Sequence, residues 1–224
     1  MKFRKIGIIG GMGPESTVLL YKYIIKHCQT KFKSFCDGDF PEIIIHNLPI
    51  PDITKPTTRE RDVSKELRKA VSLFENANVD FIAFPCNTLS FFADYLKAES
   101  KIPIVDIVEE AAKYIKSLNI SKITLFGTET TIKKKIYEKY LENIEICKPN
   151  NQKEITKLIY KAMKGKGTSK ELNNIINKYV GPGEFVVLGC TDLSVLAENI
   201  KSKYVLDSLK VLANSIVQKI AIRR

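Results

Sequence analysis

Phe81-Ile82-Ala83-Phe84-Pro85-Cys86-Asn87-Thr88-Leu89 and Phe185-Val186-Val187-Leu188-Gly189-Cys190-Thr191-Asp192-Leu193 follow one pattern. In each, an apolar run of strand length breaks at Pro or Gly, presents a Cys and goes on with small polar residues. A buried strand that ends at the Cys, with a helix starting behind it, accounts for both. Further matches extend the likeness. Ile104-Val105-Asp106 parallels Val205-Leu206-Asp207, each a strand ending in Asp before a helix, and Ile8-Ile9-Gly10-Gly11 parallels Leu125-Phe126-Gly127-Thr128. The Cys pieces recur 104 residues apart and the Asp pieces 101, as an internal repeat of two similar halves would.

Short β-branched runs alternate with longer helical patterns along the whole chain. Strands are expected over residues 5–10, 42–46, 81–85, 102–105, 122–126, 144–147, 185–188 and 204–206. Helices are expected over 16–31, 59–77, 107–118, 133–141, 153–164, 170–179 and 209–220. This alternation predicts an α/β fold of two pseudo-symmetric domains, each a mostly parallel sheet flanked by helices, with the active site in the cleft between them. The expected division is 1–104 plus 207–224 for the first domain, completed by the C-terminal helix, and 105–206 for the second. Ligands bind at the carboxyl ends of the strands in such sheets, and pseudo-symmetry sets Cys86 and Cys190 facing each other there.

Composition narrows the function classes. Of 224 residues, 44% are hydrophobic and 27% charged, a balance ordinary for a globular protein. The apolar run at Ile6–Ile9 is too short for a secretion signal, and no run is long enough to span a bilayer, so a cytoplasmic location is expected. The five cysteines are odd in number and form no C-x-x-C, and only His27 and His46 are available. Neither a disulfide framework nor a metal site is expected. The net charge of +11 comes from lysines spread along the chain, without aromatic interleaving. It reads as a wet surface, not as a nucleic-acid or membrane face.

The matched cysteines carry the chemistry. A thiol at a helix N-terminus has its pKa lowered by the N–H groups and the helix dipole, so a lowered pKa is expected for Cys86 and Cys190. Cys28, Cys36 and Cys147 read as structural or incidental. Two opposed thiols suit inversion at a carbon: one removes a proton from one face while the other delivers a proton to the opposite face. The developing carbanion needs hydrogen-bond donors on the α-carboxylate, for which Asn87, Thr88, Thr191 and the backbone N–H groups at the helix starts are the candidates. The turn Gly10-Gly11-Met12-Gly13-Pro14 lets the backbone approach an anion closely, and its spacing fits neither a dinucleotide fingerprint nor a P-loop.

Together these residues resemble the aspartate/glutamate racemase superfamily, and most closely its aspartate racemase branch. The resemblance rests on Gly10-Gly11-Met12-Gly13-Pro14 with Ser16-Thr17, then Pro51-Asp52, Cys86-Asn87-Thr88, Gly127-Thr128 and Gly189-Cys190-Thr191, in the family's order. It implies cofactor-independent racemisation of a small acidic amino acid, aspartate first, by a homodimer with neither pyridoxal phosphate nor metal. Cys190 would take the proton from the L-isomer and Cys86 from the D-isomer. Met12, Thr128 and Thr191 fall where the family's pocket is lined. Lys164, before Gly165, matches a lysine that contacts the substrate's distal carboxylate. Two departures concern the substrate's side chain. Ile53 stands where many aspartate racemases carry an Arg, for which Lys55 or Arg59 would have to substitute, and Leu89-Ser90 follow Cys-Asn-Thr.

Other chemistries fit parts of the pattern. A maleate isomerase or an arylmalonate decarboxylase of the same superfamily uses its cysteines differently, and a glutamate or broad-specificity racemase shares the two thiols. A Cys-dependent hydrolase needs a neighbouring base, for which His46 is the candidate. A non-enzymatic binding protein would leave two matched thiols without a purpose.

Overall fold

The computed structural model describes residues 3–54 and 58–222. The first half runs β1 (Ile6–Gly10), α1 (Pro14–Phe32), β2 (Ile43–Asn47), α2 (Glu60–Asn76), β3 (Phe81–Phe84), α3 (Ala93–Glu99), β4 (Ile104–Asp106) and α4 (Ile107–Ser117). The second half continues with β5 (Lys122–Gly127), α5 (Glu129–Lys133), β6 (Glu145–Cys147), α6 (Gln152–Met163), α7 (Ser169–Tyr179), β7 (Val186–Gly189), α8 (Thr191–Leu196), β8 (Val205–Asp207) and α9 (Ser208–Ile220). All eight expected strands are present within one or two residues of their expected ends.

The strands form two four-stranded parallel sheets, ordered β2-β1-β3-β4 and β6-β5-β7-β8. Adding four to each strand number of the first gives the second, which is the expected pseudo-symmetry. Register matches as well: Phe84 pairs with Asp106, and Leu188 with Asp207. Each thiol-bearing strand therefore lies beside a strand ending in Asp.

Parallel sheets need both faces covered, so their central strands carry no polar alternation. β1 is buried along its whole length. Its glycines make that close covering possible: a Cβ on Gly7 would sit 2.7 Å from the ring of Phe74 in α2, and one on Gly10 would sit 2.5 Å from the Thr17 side chain in α1. α2 buries Val63, Leu67, Ala70, Val71 and Phe74, the spacing of one helical face. The helix that follows β8 packs against α1 and α4 of the first half, and the N–H of Arg4 donates to the Ile220 carbonyl at its far end. No helix among the described residues is long and apolar enough to cross a membrane.

One expected helix is absent. Residues 134–140 form turns instead, behind the short α5, with Lys135 in the left-handed region at φ 50°. The helix starts earlier because Thr128 caps it, accepting the Thr131 N–H at 3.0 Å. It stops because the chain reverses to sink Tyr137 into the core, where its hydroxyl donates to Asn87 Oδ1 at 2.7 Å. Helix periodicity is outweighed there by one buried polar contact and the packing around it.

Candidate active site

A cavity of about 290 Å³ lies at the carboxyl ends of both sheets. The β1–α1 turn, the loop after β2 and the turn behind β3 line it from the first half. Thr128, Met163 and the turn behind β7 line it from the second. Cys86 and Cys190 both face it, and both are buried. Each lies close enough for the charge on Cys86 to act on Cys190.

Local sequence sets each thiol. Behind β3, Pro85 ends the strand, and after Cys86 the chain enters a 3₁₀ turn over Thr88–Phe92 that leads into α3. The N–H groups of Leu89 and Thr88 face the Cys86 sulfur. Behind β7, Cys190 itself caps α8, and the N–H of Asp192 faces its sulfur. The expectation of lowered thiol pKa values is overturned, although the backbone donors stand as anticipated. Burial pushes Cys86 up to about 12 and Cys190 well above the usual thiol value, with Asp192 adding a repulsive charge to both. The donors act against this but are outweighed, because a thiolate in a desolvated cleft forfeits far more hydration than two N–H groups restore.

Asp192 is the residue that sequence reasoning missed. It lines the cavity, and the Cys190 thiol donates to its Oδ2 at 3.5 Å. Burial raises its carboxyl to about 6, with a smaller push from Glu15. The missing side chain of Gly13 makes room for it: a Cβ there would lie 3.0 Å from Asp192 Oδ1. The available signal was its place two residues after the second cysteine, beside the glycine turn that the two-lobed fold brings across the cleft.

The other expected residues are placed as follows. Met12, Asn87, Thr88, Thr128 and Thr191 all line the cavity. Several of their polar atoms are already engaged. The Thr191 hydroxyl donates to the Pro85 carbonyl at 2.9 Å, tying the two halves together. Thr88, Thr128 and Thr131 form a ring of hydroxyls 3.0–3.2 Å apart. Asn87 accepts from Tyr137 and donates to Ser208 at 3.0 Å, which leaves its second N–H for a ligand. Lys164, the C-cap residue of α6, is exposed and is not among the lining residues; its neighbour Met163 is, and the Cβ position of Gly165 on its other side faces Glu15. Asp52 turns back to accept from the Thr54 N–H and hydroxyl at 2.9 and 2.6 Å. Ile53 lines the cavity beside it. Arg59 caps α2, and Lys55 lies outside the described residues. His46 stacks edge-on to Phe74 and is not among the lining residues. No histidine lines the cavity among the described residues, so the thiols have no imidazole base there.

Comparison with known proteins gives the family of the chain. The family of Asp/Glu/hydantoin racemases matches residues 9–216. The broad specificity amino-acid racemase of Bacillus subtilis (strain 168) is 28% identical over 219 residues, covering 95% of this chain and 96% of its own. The crystal structure of an aspartate racemase homologue from Pyrococcus horikoshii is 30% identical with a TM-score of 0.78, covering 96% and 98% of the two chains. The aspartate racemase of Picrophilus torridus, 24% identical with a TM-score of 0.79 over 98% and 96%, shares the fold.

Proposed function

The chain belongs to the Asp/Glu/hydantoin racemase family, and on that premise we propose that it racemises an amino acid by proton transfer between Cys86 and Cys190, with aspartate as the first substrate. The observation that carries this reading is the pair of buried thiols on the two halves of one cavity. Cys190 removes the α-proton of the L-isomer, and the Cys86 thiol delivers a proton to the opposite face; the D-isomer runs the steps in reverse. The substrate's α-ammonium supplies a positive charge that no cavity-lining side chain provides among the described residues. Brought against the thiols, it favours thiolate and offsets the burial that holds them protonated. The α-carboxylate goes to the remaining Asn87 N–H and the turn N–H groups, which stabilise the charge developing at Cα. Asp192 relays the Cys190 proton across the 3.5 Å contact.

Aspartate is favoured by the resemblance and by the name of the Pyrococcus horikoshii homologue. Lys164 at the rim is the proposed partner of the distal carboxylate. Lys164→Ala is expected to raise KM for aspartate about tenfold with kcat little changed; an unchanged KM removes it from the site. A broader side-chain range is the second reading. It is favoured by the wall of Met12, Ile50, Ile53 and Met163 and by the carboxylates of Glu15, Asp52 and Asp192 along the cavity. The homodimer implied by the resemblance and a cytoplasmic location belong to the same proposal.

The deciding experiment is α-hydrogen exchange in D₂O, followed by proton NMR with L- and D-aspartate and no added cofactor. Loss of the α-proton signal with appearance of the opposite enantiomer supports the reading. Exchange confined to neutral or cationic amino acids moves the substrate to the second reading, and no exchange with any amino acid sinks racemisation.

Asp192→Asn separates catalysis from stability. Wild-type Asp192 titrates near 6, above its ordinary 3.8. Its contribution to stability is therefore full below about pH 4 and is lost as the pH rises through 6. The Asn variant escapes that loss. It is expected to unfold at higher denaturant than wild type at pH 8, by roughly 2 kcal/mol, with the difference vanishing near pH 4. Racemisation should fall about 10–100-fold. Unchanged activity would remove Asp192 from the proton path.

A further inference from the structure

Ser90 follows Cys86 by four residues, and Ser194 follows Cys190 by four. Both are buried, and neither lines the cavity. The Ser90 hydroxyl donates to Asp106 Oδ1, and the Ser194 hydroxyl donates to Asp207 Oδ1 at 2.6 Å. Each Asp ends the strand next to its thiol-bearing strand, and both carboxylates are buried. The same Oδ1 also caps the following long helix, accepting from Val108 N at 3.0 Å in α4 and from Leu209 N at 2.9 Å in α9. One buried carboxylate oxygen per half thus ties together the thiol turn, the neighbouring strand and the next helix.

We propose that Ser90–Asp106 and Ser194–Asp207 are matched positioning pairs, each fixing one thiol and so one face of the proton transfer. Its kinetic consequence rests on the two-thiol reading above. The physical reason is geometric. A carbon inverted between two sulfurs tolerates little displacement of either, since a misplacement of about 1 Å costs on the order of 10²-fold in rate. The thiol turns are short and their helical starts are weak: a 3₁₀ turn behind Cys86 and the six residues of α8 behind Cys190. A tether one helical turn along holds what the helix alone does not. The pairs are unequal. Asp106 takes its third donor on Oδ2, from the Tyr140 hydroxyl at 3.1 Å, whereas Asp207 takes its third on the same Oδ1, from the Lys210 N–H at 3.4 Å, and its buried Oδ2 has no hydrogen bond, with Lys210 Nζ 3.9 Å away.

The test reads the thiols directly, without substrate. Native full-length wild type and its Ser90→Ala, Ser194→Ala, Ser90→Thr and Ser194→Thr variants are treated with iodoacetamide, and the alkylation of Cys86 and Cys190 is followed by peptide mass mapping. Ser90→Ala should speed alkylation of Cys86 about tenfold and Cys190 by less than about twofold; Ser194→Ala should do the reverse. The Thr variants, which keep the hydroxyl, should stay near wild type. Equal changes at both thiols, or none, would overturn the proposal. Ser90→Ala carries the test alone if Ser194→Ala does not fold, because Asp106 keeps its other donors.

The kinetic arm uses the amino acid that wild type exchanges fastest, deuterated at Cα. Ser194→Ala should raise the primary isotope effect for the L-isomer, and Ser90→Ala should raise it for the D-isomer. A general loosening of the protein would move both directions together and so count against the pairs. If wild type exchanges no amino acid, the racemase reading falls, and the alkylation pattern alone decides the tethers.

Discussion

Cys86→Ala and Cys190→Ala each lose racemisation by about 10³-fold or more, because inversion needs a proton donor or acceptor on both faces of one carbon. The two losses are not interchangeable. The Cys86→Ala protein keeps Cys190 and should still exchange the α-proton of the L-isomer in D₂O, returning deuterium to the same face. The Cys190→Ala protein should do this for the D-isomer. The measurement is proton NMR of the α-signal together with chiral chromatography of the product. Full racemisation by either variant would sink the two-thiol mechanism. Exchange of both isomers by one variant would show that a group other than the lost thiol serves that face. Fold is not expected to confuse the result. Both thiols are small and stand at the cavity wall, so truncation opens space that already adjoins an open volume instead of a sealed hole in the core.

Gly11→Ala is expected to cost about 2–4 kcal/mol of stability and to take most of the activity with it. Gly11 lies at φ +96°, a conformation that side chains rarely adopt, and its added Cβ would stand 2.8 Å from the Leu48 carbonyl oxygen and 3.0 Å from the Leu48 nitrogen. Those are backbone atoms and cannot swing aside. Leu48 is itself held, its N–H donating to the Gly10 carbonyl at 3.0 Å. The turn is pinned from the other side as well, with Gly11 N–H donating to Thr17 Oγ1 at 3.0 Å and the Thr17 hydroxyl donating to the Gly13 carbonyl at 3.1 Å. Relief of the clash has to move Met12 and Gly13, which line the cavity, and Gly13 faces Asp192. Urea unfolding followed by circular dichroism measures the stability, and α-hydrogen exchange measures the site. A loss below about 1 kcal/mol would mean that the turn yields and that the glycine is dispensable.

The sequence by itself determined the architecture, because the signals it uses are local or repeated. Buried parallel strands read as short apolar runs wherever they occur, and a twofold repeat of Cys-ended and Asp-ended strands leaves few ways to arrange two sheets. The same repeat marked Cys86 and Cys190, and the glycine turn announced itself through residues that only a tight, close-packed turn requires. What only the tertiary structure decided is everything that depends on surroundings. Whether residues 133–141 continue a helix turns on Tyr137 reaching Asn87 across the molecule. Whether the thiols are acidic turns on the balance between N–H donors, visible as helix starts in the sequence, and desolvation, which comes into being only when the two halves close over them. Asp192 gains its raised carboxyl and its contact with Cys190, and the serines their buried carboxylate partners, in the same way. Pattern and spacing are written along the chain; solvation and long-range hydrogen bonding are properties of the packed molecule.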